Sequence, residues 1–172
     1  SSDLLRASRT RWDLLAQSVV FTAVDEDPGP RVQHWTDSWA GYPVARQRLL
    51  DSVAGSGVRN PLTLGGDIHA FIAADQRQRP GQPDLPVVMS ELVTTSITSG
   101  PPPQRLREVY RRPGNDVAFY EDACRGYLWL EMTSRRLEAR LQGFDSVRSP
   151  EGAVERTVFS CALEDGQRGL RT

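Results

Sequence analysis

Apolar and polar positions follow several distinct rhythms along the chain. Over residues 3 to 17, Leu4, Leu5, Trp12, Leu14, Leu15 and Ala16 fall among polar residues, which predicts helix or helix fragments. The run SVVFTAV (18 to 24) has the β-branched and aromatic density of a short buried strand. DEDPGPR (25 to 31) is a loop by its proline and glycine content. Pro43 suits a first helical turn, and Ala45, Leu49, Leu50 and Val53 recur at helical spacing, so a helix is predicted there and ended by Gly55 and Gly57. Asn60-Pro61 restarts the chain in extended form. Leu62 to Leu64 then predicts a strand whose carboxyl end delivers GGDIH.

Further along, a Gln-, Arg- and Pro-rich loop (76 to 86) leads to PVVMSELVTTSIT, a second strand-like run. Pro101, Pro102 and Pro103 forbid regular structure, and residues 104 to 116 are a polar excursion. VAFYEDA, GYLWLEMT, RLEARLQGF and RTVFSCALEDG predict a meander of antiparallel strands. RLEARL could form a helical turn, but Gly143 and the alternation of Leu137, Ala139 and Leu141 favour a half-buried strand. The pattern is that of an α/β (α+β) protein with a loop at a strand's carboxyl end, where active sites gather.

Composition narrows the class. The chain has 172 residues, 38% of them hydrophobic, enough for one core. A net charge of −1 gives no global field for nucleic acid. Every one of the 21 basic residues is arginine, which favours planar contacts to phosphate and carboxylate. No apolar run approaches the ~20 residues of a transmembrane segment. Cys124 and Cys161 are either one disulfide or two separate buried thiols. The first residues, SSDLLRASRT, lack an initiating Met, and the chain reads as a processed or excised segment.

Asp67 and His69 carry the most pointed chemistry, since the chain has only 2 histidines. In an extended segment, residues i and i+2 project to one side, roughly 6.5–7 Å apart. So placed, each could hold one of two metals spaced about 3.5–4 Å apart, an arrangement suited to phosphate ester hydrolysis. The preceding glycines permit an unusual turn. Alone, Asp-x-His is a weak signal, and Gly-Gly-Asp is also a common turn. No HExxH, phosphate-binding glycine loop or Gly-x-Ser-x-Gly accompanies it, so a complete site cannot be assembled from this chain.

The order of motifs adds a resemblance. RWDLLAQSVVF, DSWAGYPVARQRLL, NPLTLGGDIHAF, ELVTTSITSG and RGYLWLEMT, over roughly residues 9 to 133, resemble the C-terminal part of the alkaline phosphatase D (PhoD-like) family. That family includes secreted phosphatases and phosphodiesterases, iron-dependent phospholipases D among them. The resemblance implies a calcineurin- and purple-acid-phosphatase-like four-layer αββα sandwich. This chain would be its C-terminal half, residues 1 to 172 forming one portion of a single catalytic domain that ends in the antiparallel meander. The family's site holds Fe3+ and a divalent metal: Ca2+ first, with Mn2+, Mg2+ or Zn2+ as alternatives. By the motif match Asp67 would bind the divalent metal and His69 the iron, both serving catalysis.

The remaining ligands belong to N-terminal motifs absent here, so the implied partner is the N-terminal portion of the same enzyme, as a separate chain or a missing segment. Proteolytic nicking of an exposed loop would produce such a chain. The implied function is a secreted hydrolase of phosphodiesters, phospholipase D type with phospholipid as a candidate substrate, through in-line attack of an activated water. A phosphomonoesterase is the alternative, and a non-catalytic β-rich binding module the competing class. Two departures stand out. Trp39-Ala40-Gly41-Tyr42 replaces the family's Trp-Asp-Gly-Tyr, so an acidic role there is either lost or supplied elsewhere, with Asp37 as the candidate, and Asn115-Asp116-Val117 replaces Asn-Pro-His.

Four further groups are candidates, each beside a plainer alternative. Trp39 and Tyr42 could line a substrate pocket or pack the start of the helix. His34 could contact substrate phosphate, although a loop histidine is the commoner case. Arg46 and Arg48 could steer an anionic ester or form a solvated face. Thr94, Thr95, Ser96, Thr98 and Ser99 have the hydroxyl density of a nucleophile site but no base, so a strand edge followed by a turn is the better reading.

Overall fold

The computed structural model describes residues 5, 7–27, 31, 33–113, 115–151 and 153–172. Five strands, β1 (Asp13–Ala16), β2 (Pro61–Gly65), β3 (Phe71–Arg77), β4 (Val87–Val93) and β5 (Val117–Glu121), form one sheet in the order β1-β2-β4-β3-β5. β1, β2 and β4 run parallel, whereas β3 is antiparallel to both β4 and β5. A second, antiparallel sheet contains β6 (Arg125–Met132), β7 (Arg136–Phe144) and β8 (Glu155–Glu164) in chain order. α1 (Pro43–Ala54) follows a 3-10 turn at Trp39–Gly41, and α2 (Gln104–Tyr110) precedes β5.

Side-chain alternation explains the layering. On one face of the first sheet, Leu62, Ala73 and Leu92 pack against Leu137, Ala139, Cys161 and Leu163 of the second. Phe71, Cys124 and Leu141 extend that core between the sheets. The opposite face carries α1, whose Leu49, Leu50 and Val53 meet Val88 and Met89. It also carries α2, whose Leu106, Val109 and Tyr110 meet Ile72, Ala74 and Val93. Helices, sheet and sheet therefore make three layers. The outer face of β7 is charged, with Arg136 joined to Glu138 and Glu164, and Arg140 over the Trp129 ring at 4.7 Å. Among the described residues no helix packs there, so the fourth layer expected from the resemblance is not seen.

Several elements differ from expectation. The helix expected over 3–17 falls partly outside the described residues, and its later part is β1, paired with β2 through Leu14↔Leu62 and Ala16↔Leu64. Residues 18 to 24 bury Val20, Phe21, Thr22 and Val24 but form no strand. Their backbone donors are met by a side chain instead of a ladder: Phe21 N–H and Thr22 N–H each donate to the fully buried Glu91 carboxylate at 2.7 Å. β3 was not expected, because FIAADQR runs on from the GGDIH loop and is buried over most of its length. Residues 104 to 110, expected only as part of a polar excursion, are helical. VAFYE, expected in the meander, pairs with β3 in the first sheet.

Candidate functional site

β2 and β3 flank β4, so the chain must cross the carboxyl end of β4 within residues 66 to 70. The crossing is made by two non-glycine residues in the left-handed region, Asp67 (φ 71°) and His69 (φ 59°). The Asp67–His69 pair is therefore not extended, as the sequence reading assumed. Nor is the unusual backbone carried by Gly65 and Gly66. Gly65 instead allows close approach, since a Cβ there would lie 3.1 Å from both Glu91 Oε1 and the Val19 carbonyl. Ile68, 1% exposed, plugs the helical face of the core and anchors the loop between them. Left-handed non-glycine residues cost of order 1–3 kcal/mol each and persist where the surroundings hold them.

The surroundings do hold His69. Its Nδ1 lies 2.9 Å from the Gly100 carbonyl, which can only accept, so Nδ1 carries the proton and a neutral ring has its lone pair on Nε2. The His69 carbonyl accepts from Thr95 Oγ1 at 3.0 Å and from Arg125 Nη1 at 2.9 Å. Thr94 N–H donates to the Gly65 carbonyl at 3.1 Å, tying the same segment to the loop's start. Asp67 is exposed, and its carboxylate has no hydrogen bond or ion pair among the described residues. Asp67 and His69 thus present one carboxylate and one imidazole nitrogen with free lone pairs at the carboxyl ends of the parallel strands β2 and β4. Among the described residues no group of three or more His, Cys, Asp or Glu could enclose a metal ion. Each of the two groups could supply one ligand to a metal, and together they do not complete a coordination shell.

Other predicted residues separate into those near this edge and those elsewhere. Trp39 and Tyr42 line one groove of about 320 Å³ with Val19, Asp37, Ser38 and Ala45. It adjoins the loop through Val19, whose carbonyl lies against Gly65. The Trp39 indole N–H also donates to Gln17 Oε1, just beyond β1. His34 lies in a different cavity, about 350 Å³, with Asp25, Arg46 and Asn115; its Nδ1 donates to the Val24 carbonyl at 2.8 Å. Neither Asp67 nor His69 lines that cavity.

Arg46 lines that cavity and is also tied into the core. It is 5% exposed, donates to the Phe21 carbonyl (2.8 Å) and Gln76 Oε1 (2.6 Å), and stacks on Phe21; burial pushes its guanidinium down to about 10. Arg48 is exposed. Of the two cysteine alternatives, the structure has separate buried thiols and no disulfide. Cys124 lies beside Phe71 and Leu141, Cys161 beside Leu137 and Ala139, and burial pushes the Cys161 thiol up to about 12. Sequence reasoning missed Gly100 and Arg125 as supports of His69 and set Thr95 aside as a strand edge. The signal available was the recurrence of ELVTTSITSG and RGYLWLEMT around them in the motif order.

Comparison with known proteins bears on the family and the fold. Alkaline phosphatase D of Bacillus subtilis (strain 168) is 28% identical over 170 residues, covering 97% of this chain and 29% of the relative. The solved structure described as "Structure of PhoD" superposes with a TM-score of 0.84 at 28% identity, over 99% of this chain and 33% of that one. The chain thus spans about a third of the length of these relatives. The family model described as PhoD-like phosphatase matches residues 2–141, and the chain belongs to that family.

Proposed function

We propose that this chain is the C-terminal portion of one metallophosphoesterase catalytic domain, with Asp67 and His69 as its two metal ligands. The observation that carries the reading is the strained 67–69 loop, which leaves the Asp67 carboxylate and the His69 Nε2 lone pair unpartnered at the sheet's carboxyl edge. His69 would hold Fe3+ and Asp67 a divalent ion, Ca2+ first, with the other ligands on the remaining two-thirds of the polypeptide. Metal ions at such a site, when bound, activate water and neutralise charge developing on phosphoryl oxygens. The chain's own part is to fix two ligands and offer a substrate wall. Export from the cell is expected on the resemblance.

The Trp39–Tyr42 groove favours a phosphodiester bearing an apolar alcohol group, a phospholipase D-type substrate, because aromatic walls bury apolar surface. The name of the Bacillus relative favours a second reading, phosphomonoester hydrolysis. Full-length enzyme should contain iron and a divalent metal by elemental analysis. Asp67→Ala and His69→Ala should each lower metal content and reduce turnover by about 10²-fold or more. Retention of metal and turnover by either variant overturns the site. Turnover of bis(p-nitrophenyl) phosphate against p-nitrophenyl phosphate separates the substrate readings, and Trp39→Ala should raise KM for the diester alone.

A further inference from the structure

The His69 carbonyl accepts two hydrogen bonds, from the Thr95 hydroxyl and the Arg125 guanidinium, and the two donors are themselves joined, Arg125 Nη1 lying 3.0 Å from Thr95 Oγ1. Arg125 is 8% exposed. Its acceptors are oxygens of main chain and hydroxyls: His69 O, Thr95 Oγ1, Ser96 Oγ at 3.3 Å and Asp122 O at 2.7 Å. The nearby Asp122 carboxylate is taken by Arg107, Nη2 to Oδ1 at 2.8 Å. Arg125 therefore spends its buried charge on the backbone of one left-handed residue and its neighbours. Charge-assisted bonds of this kind are stronger than neutral ones. The guanidinium fork reaches His69 through one nitrogen and the turn at Asp122 through the other, so it ties the start of β6 to the 66–70 loop. Gly100, on the same segment as Thr95, fixes the imidazole at Nδ1.

We infer that Thr95 and Arg125 are positioning residues that lock the left-handed backbone of His69 and thereby aim its Nε2. The inference rests on His69 being a ligand, as proposed above. It also assigns a role to two motifs that coordinate nothing: the hydroxyl-rich segment supplies Thr95, and the second sheet supplies Arg125. Partners of this kind typically change metal affinity or activity by about 10–100-fold.

The test uses full-length enzyme and two readouts. One is hydrogen exchange of the 66–70 amides in metal-free protein, and the other is the metal dissociation constant by chelator competition. Thr95→Val, which keeps shape, and Arg125→Met should each speed exchange there at least about 10-fold and weaken metal binding about 10–100-fold. Thr95→Ser, which keeps the hydroxyl, should restore both. Should Arg125→Met fail to fold, Thr95→Val against Thr95→Ser still decides. Wild-type exchange and affinity in Thr95→Val overturn the positioning role. His69→Ala separates the two levels. If it keeps wild-type metal affinity, the ligand reading fails and takes the inference with it. If it loses metal while Thr95→Val does not, only the inference fails.

Discussion

Gly126→Ala should unseat the junction between β6 and β7. Gly126 faces Gly143 in the ladder, and a Cβ on it would lie 1.8 Å from the Gln142 carbonyl oxygen, 2.9 Å from its carbon and 3.0 Å from Gly143 Cα. All three are backbone atoms, so no rotamer change relieves the overlap. Restoring ordinary contact requires the strands to part by roughly 1.5 Å, which takes adjacent ladder bonds out of range. Two or three lost bonds at about 1 kcal/mol each, with overpacking of about 1–3 kcal/mol, give a loss of about 3–6 kcal/mol. That is a large share of a typical ~5–15 kcal/mol. The displacement also moves the neighbouring Arg125 from the His69 carbonyl, so metal affinity should fall with stability. Urea denaturation followed by tryptophan fluorescence measures the first effect. Gly57→Ala is the control, because a Cβ there meets nothing within 4 Å. A Gly126→Ala midpoint equal to that of Gly57→Ala would refute the steric argument.

Asp165 joins the end of β8 to the first sheet through Arg59 (2.6 Å), Arg11 (2.8 Å) and Asn60 (2.8 Å), and the hydrogen bonds from Arg59 and Asn60 hold its carboxyl down to about 2 from 3.8. A depressed folded value means its contribution is present above about 3.8 and lost as pH falls toward about 2. Asp165→Asn should therefore remove part of the acid sensitivity between those values, checked by denaturant midpoints from pH 5 to 2. An unchanged acid limb would count against the network. Cys124 and Cys161, buried as free thiols, should titrate with a thiol reagent only after unfolding, and reductant should leave Tm unchanged. A Tm lowered by reductant would show a bridge after all.

How much of this was legible beforehand follows from what local pattern can encode. α1 was readable because Pro43 and the recurring Leu49, Leu50 and Val53 report a helix face directly. β7 was readable because Leu137, Ala139 and Leu141 alternate. The buried segment at 18 to 24 has the composition of a strand, yet its donors go to Glu91, some 70 positions away, and nothing local announces that partner. β3 was hidden because a short, continuously buried run lacks a period. The paired residues Asp67 and His69 stand out in the sequence as candidates, but an extended backbone was expected where the structure has both in the left-handed region.

The sequence by itself determined the family, through the order of five motifs, and nominated Asp67 and His69, because few residue types bear lone pairs suited to metals. Only the tertiary structure decided what the nomination means. It placed β4 between β2 and β3, and that order obliges the 66–70 loop to turn through two left-handed residues over a strand end. It also brought Thr95, Gly100 and Arg125 onto His69 from 26, 31 and 56 positions away. Such contacts depend on sheet order and on two sheets packing face to face, and neither is written in any local spacing.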